Sequence, residues 1–81
     1  MPEQLKDPQR RVVGTKQVLR AVADNRAAMV YLGKDADNFL YHRVKGACEE
    51  KGVSVNTAYT MSEIGTFCVL DVPSATAAVL K

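Results

Sequence analysis

The sequence has few of the residues that catalytic and metal sites need. It holds one histidine, His42, and two cysteines, Cys48 and Cys68, with no C-x-x-C pair. A structural zinc site usually needs about four ligands, so neither a metal nor another cofactor is predicted. We expect both cysteines to be reduced and buried, because free cysteine packs as a small hydrophobe.

The chain also lacks long apolar segments. No stretch approaches the roughly 20 apolar residues that a membrane helix needs. The polar start M-P-E-Q-L-K-D-P-Q-R-R has no apolar segment of the kind that a secretory signal requires. We therefore expect a cytoplasmic protein with no membrane partner.

The bulk composition predicts one folded domain over residues 1–81. Hydrophobic residues make up 47% of the chain and charged residues 25%, which is the balance of a globular protein. This length allows one core and no separate catalytic domain. The net charge is only +2, but the chain is basic through Arg20 and mildly acidic from Ala47 onward. That asymmetry permits a phosphate-facing patch, although most charged stretches are only solvated surfaces.

Apolar spacing and turn residues predict strands that alternate with helices. Helices are predicted within 3–9, over 15–24 and 38–51, and from Thr60 to about residue 68; strands are predicted over 11–14, 27–33, 53–59 and 75–80. This alternation indicates a three-layer α/β/α sandwich with a mixed, roughly four-stranded sheet.

The acidic residues near the helix starts have a structural explanation. Asp37 is placed to cap a helix through its carboxylate, and Thr60 and Glu63 match a capping box. Asp35 and Asp37 could also suggest carboxylate or magnesium chemistry, but we favour turn and cap roles for both. His42 falls in a predicted helix, at its surface, and the common glycine-rich phosphate-binding motifs are absent. No catalytic constellation is visible.

The segment G-T-K-Q-V-L-R, residues 14–20, has a different character. A helix N-terminus presents unpaired N–H groups and attracts phosphate, and Gly14 allows close backbone approach. Lys16 and Gln17 lie in the first turn and have the donors and acceptors that read base edges. Arg20 shares their face and could reach a phosphate. A solvated helix start explains the same residues equally well.

A second segment, residues 70–73, is more apolar than most loops. Leu70, Val72 and Pro73 could support an unstacked base, as in sequence-specific RNA readers. They could equally cover the edge of the core, and spacing alone does not separate the two interpretations.

Several blocks together resemble one family, the kink-turn-binding ribosomal proteins of the seven-Ae type, in particular its small bacterial members. The likeness spans roughly residues 12–80. It consists of G-T-K-Q-V-L-R at 14–20, K-D-A-D at 34–37, C-E-E-K-G-V at 48–53, I-G at 64–65 and L-D-V-P-S-A-T-A-A-V at 70–79. The family has an α/β/α sandwich, in agreement with the predicted elements.

The resemblance implies binding to a kink-turn, an RNA helix–bulge–helix element that bends sharply beside tandem sheared G·A pairs. Gly14 and Thr15 would approach the RNA backbone. Lys16 and Gln17 would read the guanines of the G·A pairs, and Arg20 would hold a phosphate.

Two further sets of contacts follow from the resemblance. Asp37 and Tyr41 match positions that line the pocket for a flipped-out base. The bulge nucleotides would contact the apolar loop, which consists of Leu70, Asp71, Val72 and Pro73.

This chain departs from the family pattern at several positions. Archaeal and eukaryotic members typically have Asn-Glu in place of Lys16-Gln17, whereas the bacterial branch commonly has Lys-Gln. Met61 stands where those members often have a lysine, Tyr41 replaces an aliphatic residue, and Val69 replaces a frequent glycine. The loss of one carboxylate acceptor and one lysine is expected to weaken RNA binding without abolishing it.

The sequence therefore predicts a non-catalytic, monomeric module that binds structured RNA, namely a kink-turn in ribosomal RNA or in an mRNA leader, with the ribosome as a partner. The main alternative is a protein-interaction module of the same fold with little RNA affinity. A second alternative is an enzyme, in the form of a detached accessory domain of an RNA-modifying machine.

Overall fold

The computed structural model describes residues 3–81, so the first two residues of the predicted domain lie outside the described part. The described chain begins with a 3-10 helix. The elements in chain order are the 3-10 helix Glu3–Lys6, β1 Arg11–Val13, α1 Thr15–Ala23, β2 Ala27–Leu32, α2 Asn38–Lys51, β3 Ser54–Asn56, α3 Met61–Phe67 and β4 Thr76–Leu80.

The four strands form one mixed sheet in the order β1-β4-β2-β3. β4 runs antiparallel to β1 and β2, whereas β3 runs parallel to β2. Leu32 pairs with Thr76, and Val13 pairs with Ala77. As a result, the C-terminal ends of β1, β2 and β3 lie beside the N-terminal end of β4. This end of the strands is named here the site edge. Helices α1, α2 and α3 follow these three strands, so all three begin at the site edge.

Two hydrophobic cores hold helices on opposite faces of the sheet. The first, the α1/α2 core, joins both helices to β2 and β4; its fully buried side chains include Val18, Val22, Val30, Leu32, Val44 and Cys48. The second, the α3 core, consists of Leu5, Ile64, Cys68, Ala77 and Val79. Each large apolar side chain buried in this way stabilises the fold by about 1.5–3 kcal/mol. These two cores confirm the predicted α/β/α layers.

The predicted elements exist, and most of their ends agree with the structure to within one residue. The largest difference is β3, which was expected over 53–59 and covers only Ser54–Asn56. The Asn56 side chain accepts a hydrogen bond from the Ala58 N–H at 2.9 Å, and this local turn ends the strand. The helix expected within 3–9 is a single 3-10 turn, Glu3–Lys6, and Pro8 lies in the turn that follows.

The predicted end signals of α1 and α2 are confirmed. Asp24 is the C-cap of α1, and Asn25 has a left-handed φ of 59°. Gly52 ends α2 with a φ of 71°, a conformation that glycine adopts without steric cost.

Candidate functional site

The start of α1 has free backbone donors. Gly14 is the N-cap, and no side chain of residues 3–81 forms a capping hydrogen bond to this helix. Its φ of 97° and ψ of 150° lie in a region that is essentially restricted to glycine. A Cβ on Gly14 would meet no atom within 4 Å, so the glycine is required by its backbone conformation and not by crowding. The first-turn N–H groups are therefore available to an anion.

The predicted RNA-contacting side chains of α1 share its solvent face. Lys16, Gln17 and Arg20 are exposed, whereas Val18 and Val22 face the α1/α2 core. Neither Lys16 nor Arg20 forms an ion pair with another residue in 3–81. Residues three or four apart on a helix are neighbours, so these three side chains form one polar surface beside the free N–H groups.

The apolar loop, residues 70–73, is only partly exposed. Leu70 is half-buried and packs against the α3 core. Of the two interpretations that the sequence left open for this loop, cover of the core edge therefore applies to Leu70. Val72 is 64% exposed, and Pro73 and Asp71 are also exposed. The loop therefore attaches to the core through Leu70 and presents its other side chains to solvent.

Gly65 of α3 positions the apolar loop. A Cβ at this buried glycine would overlap the carbonyl oxygen of Val72 and lie 3.2 Å from the Cα of Pro73. Any larger residue would therefore push the loop away from α3. The Leu70 N–H also donates to the Gly65 carbonyl oxygen at 2.9 Å, which fixes the start of the loop.

Hydrogen bonds connect Ser74, the residue after the loop, to the start of α1 through Thr76. The Thr76 carbonyl oxygen accepts from the Gly14 N–H at 3.1 Å and from the hydroxyl of buried Ser74 at 3.0 Å. The Ser74 N–H donates to the Met61 carbonyl oxygen at 3.0 Å. One strand residue thus holds the α1 start and the end of the loop together, and Ser74 ties both to α3.

The start of α2 completes the site edge. Asp37 caps α2 by accepting from the Phe39 and Leu40 N–H groups at 3.0 and 3.3 Å, as predicted. Asp35 accepts from the Met61 N–H at 2.8 Å, so it stabilises the start of α3 from another loop. Tyr41 is half-buried against the α1/α2 core. The turn and cap roles of both aspartates are confirmed, and their carboxylates already have backbone donors.

Three residues that support this arrangement were not identified in the sequence. Ser74 and Gly65 contact partners distant in the chain. The half-buried Arg11 guanidinium donates to the Leu5 and Cys68 carbonyl oxygens at 2.9 and 3.0 Å. The I-G pair at 64–65 was a signal for Gly65, whereas no local pattern indicates Ser74 or Arg11.

The buried thiols have no feature of reactive groups. Cys48 and Cys68 are free and fully buried, as expected. Burial raises the pKa of both thiols, and the nearby Arg11 guanidinium offsets part of this rise at Cys68. Both are therefore protonated near neutral pH and are poor nucleophiles.

Residues 3–81 have neither of two further features, a metal-binding cluster and a membrane-spanning helix. No group of three or more His, Cys, Asp or Glu side chains in this range is arranged to hold a metal ion. None of the helices in the same range has the length and apolar character to cross a membrane.

Similar proteins provide independent information on the chain as a whole. The chain is 48% identical over 71 residues to an RNA-binding protein of Caldanaerobacter subterraneus subsp. tengcongensis, covering 88% of this chain and 87% of the relative. It is 36% identical over 70 residues to an RNA-binding protein of Geobacillus kaustophilus, covering 86% and 85%. The solved structure of a Giardia lamblia 15.5kD RNA binding protein superposes with a TM-score of 0.87 at 26% identity, covering 98% of this chain and 69% of that one.

The family comparison covers the same region of the chain. The family model for the ribosomal protein L7Ae/L30e/S12e/Gadd45 family matches residues 2–81. This match includes the α1 start, the α2 start and the apolar loop. The chain therefore belongs to the ribosomal protein L7Ae/L30e/S12e/Gadd45 family.

Proposed function

We propose that this protein binds kink-turn RNA in the cytoplasm and stabilises its bent form. The observation that carries the proposal is the Thr76 carbonyl oxygen, which holds the α1 start beside the apolar loop through Gly14 and Ser74. A kink-turn offers complementary features at close range, namely tandem G·A pairs and unstacked bulge nucleotides. The relatives named as RNA-binding proteins support an RNA ligand.

The α1 start supplies the contacts to the paired region. Its uncapped N–H groups attract phosphate, and Lys16 and Gln17 are exposed on the first turn. Lysine donates to guanine O6 and N7, whereas glutamine both donates and accepts at a base edge. Arg20 lies one turn further along and has no ion pair within residues 3–81, so its charge is available to a backbone phosphate.

The apolar loop supplies the contacts to the bulge. Exposed Val72 and Pro73 give an apolar surface for an unstacked base, and Gly65 holds the loop close to α3. Asp37 and Tyr41 lie at the start of α2 on the same site edge, where they would flank a flipped-out base. Because these contacts exist together only for bent RNA, binding shifts the RNA population toward the bend.

The proposed activity is binding without turnover, by a monomer, to a kink-turn in ribosomal RNA or in an mRNA leader. The Giardia lamblia 15.5kD RNA binding protein shares this fold at 26% identity. That likeness supports an RNA-binding use of the site edge over the alternative of a protein-interaction module.

Calorimetric titration tests the proposal. The protein is titrated into a kink-turn RNA and into a matched RNA in which Watson–Crick pairs replace the G·A pairs. We expect tight one-to-one binding to the first RNA and weak, salt-sensitive binding to the second. Equal affinity for both RNAs would overturn the proposed kink-turn recognition and leave only a basic patch.

A further inference from the structure

A groove between α1 and α2 opens beside the start of α1. It has a volume of about 430 Å³ and is lined by Thr15, Lys16 and Leu19 of α1 and by Arg43 of α2. Lys16 and Arg43 are exposed, and neither forms an ion pair within residues 3–81. Leu19 packs against the α1/α2 core. The groove therefore has an apolar floor, one cation from each helix and no acidic side chain in its lining.

An exposed aromatic ring shares a face of α2 with Arg43, although it is not itself part of the groove lining. Phe39 is 76% exposed, and it precedes Arg43 by one helical turn, so the two residues share a face of α2. Because α2 begins at Asn38, Phe39 lies at the site edge, where α1 also begins. A phenylalanine this exposed contributes little to the core and is available to stack on a ligand.

We propose that this groove binds a single RNA strand that continues from the G·A site. Arg43 holds a phosphate of this strand, Phe39 stacks on an unpaired base, and Lys16, which contacts the G·A pairs, adds its positive charge to this end of the groove. This inference rests on the proposed RNA-binding function and adds Phe39 and Arg43 to the RNA-binding residues. Proteins bind single-stranded nucleic acid with cations placed along the sugar–phosphate backbone and with an aromatic ring on which a base stacks.

The charges along α1 and α2 indicate which part of the helix pair the RNA strand contacts. At the far end, a separate depression is lined by Ala23 and Ala47 together with Glu50 and Lys51, whose opposite charges offset each other. Among the residues that line these two depressions, unopposed positive charge occurs only at the end near the α1 start. The strand therefore leaves the G·A site over Lys16 and Arg43 and does not extend to the C-terminal ends of the helices.

Tryptophan fluorescence tests the stacking contact. The chain contains no tryptophan, so Phe39→Trp introduces a single reporter that can still stack. We expect kink-turn RNA with a single-stranded extension to quench its emission, whereas an Ala23→Trp reporter at the far end of α1 keeps its emission. Phe39→Ala should bind this RNA on the order of tenfold more weakly, and Phe39→Tyr should restore the affinity.

The salt dependence of binding tests the phosphate contact. Arg43→Gln should make the slope of log affinity against log salt shallower by about 0.7 to 0.9, as expected for one lost phosphate contact. Arg26→Gln is the matched control, because it removes the same charge at the opposite edge of the sheet, where Arg26 lies 3.6 Å from Asp24. Its slope should equal that of the unmodified protein.

The outcomes separate this inference from the proposed function. If the protein prefers G·A-paired RNA but the Phe39 and Arg43 variants bind like the parent, the groove inference is wrong and kink-turn recognition stands. If the parent shows no preference for G·A pairs, the proposed function fails first. An unquenched Phe39→Trp reporter in a saturated complex also overturns the groove inference, and the groove would then be free for a protein partner.

Discussion

Helices α1 and α3 both begin at the site edge, but α3 has side-chain caps at its first turn and α1 has none. At α3, the Thr60 hydroxyl accepts from the Glu63 N–H at 3.1 Å, and the Glu63 carboxylate accepts from the Thr60 N–H at 2.9 Å. Asp35 takes a further first-turn donor, the Met61 N–H. At α1, Gly14 has no side chain to cap the helix.

The two kinds of helix start have different consequences for the stability of the fold and for RNA binding. A capped start satisfies its donors within the protein and stabilises the fold, typically by about 1 kcal/mol for each cap. An uncapped start leaves its donors to solvent or to a ligand, and it gives up that stabilisation. We infer that changes to the exposed side chains at the α1 start alter RNA affinity at little cost in stability, whereas changes to the capping side chains at the α3 start do the reverse.

The largest effect is expected where α3 touches the apolar loop. Gly65→Ala would place a Cβ against the Val72 carbonyl oxygen and beside the Pro73 Cα. Overpacking of this kind destabilises a protein by about 1–3 kcal/mol, and relief of the overlap requires the loop to move. We expect both the free energy of unfolding in urea and the RNA affinity of the folded protein to fall.

Gly46→Ala is the matched control for this change. Gly46 lies within α2, and a Cβ there would meet no atom within 4 Å. Because alanine is favoured over glycine inside a helix by about 1 kcal/mol, this variant should be more stable than the parent and bind RNA equally well. A Gly65→Ala protein that binds RNA like the parent would contradict the positioning role of Gly65.

The α1 start should show the reverse behaviour. Gln17→Ala removes an exposed side chain that packs against neither core, so the melting temperature should not change. The binding free energy for kink-turn RNA should become less favourable by about 1–3 kcal/mol if Gln17 reads a base edge. Calorimetry measures both quantities on one preparation.

Gln9→Ala makes the same substitution away from the site. Gln9 is exposed in the turn before β1, at the opposite edge of the sheet. This variant should match the parent in stability and in affinity. An equal loss of affinity in the Gln9 and Gln17 variants would show that the glutamine at the α1 start has no specific role.

A smaller effect is expected at the α3 cap. Thr60→Ala removes the hydroxyl that accepts from the Glu63 N–H, which should lower the free energy of unfolding by about 1 kcal/mol. Thr60→Ser keeps the acceptor and should retain most of the stability. RNA affinity should be unchanged in both variants, and a large loss in Thr60→Ala would remove the distinction between the two helix starts.

The parts of this arrangement that were predictable from sequence are local ones. The helix starts, the capping box at Thr60 and the cap at Asp37 follow from residues three or four apart, and the structure confirms them. The exposed face of α1 follows in the same way from its buried positions. For the apolar loop the sequence left two interpretations open, and the structure shows that Leu70 packs on the core.

The parts that were not predictable depend on contacts across the chain. Ser74 joins Met61 to Thr76, and Arg11 joins the 3-10 helix to Cys68. No spacing in the sequence indicates which strand residues become neighbours until the order β1-β4-β2-β3 is known. The closeness of the α1 start and the apolar loop follows from that order, because β1 pairs directly with the strand that follows the loop.

The smallest effect is expected at the residue before the apolar loop. Val69 has a φ of 59° and is 72% exposed. This left-handed conformation costs a residue with a Cβ about 1–2 kcal/mol, and glycine avoids that cost at an entropic penalty of about 0.5–1 kcal/mol. The midpoints of these two ranges differ by roughly 0.7 kcal/mol, so Val69→Gly should stabilise the protein by about that amount in urea unfolding. Asn25 has the same φ, but asparagine tolerates it, so Asn25→Gly should be slightly destabilising. The same sign of change in both variants would show that Val69 is not strained.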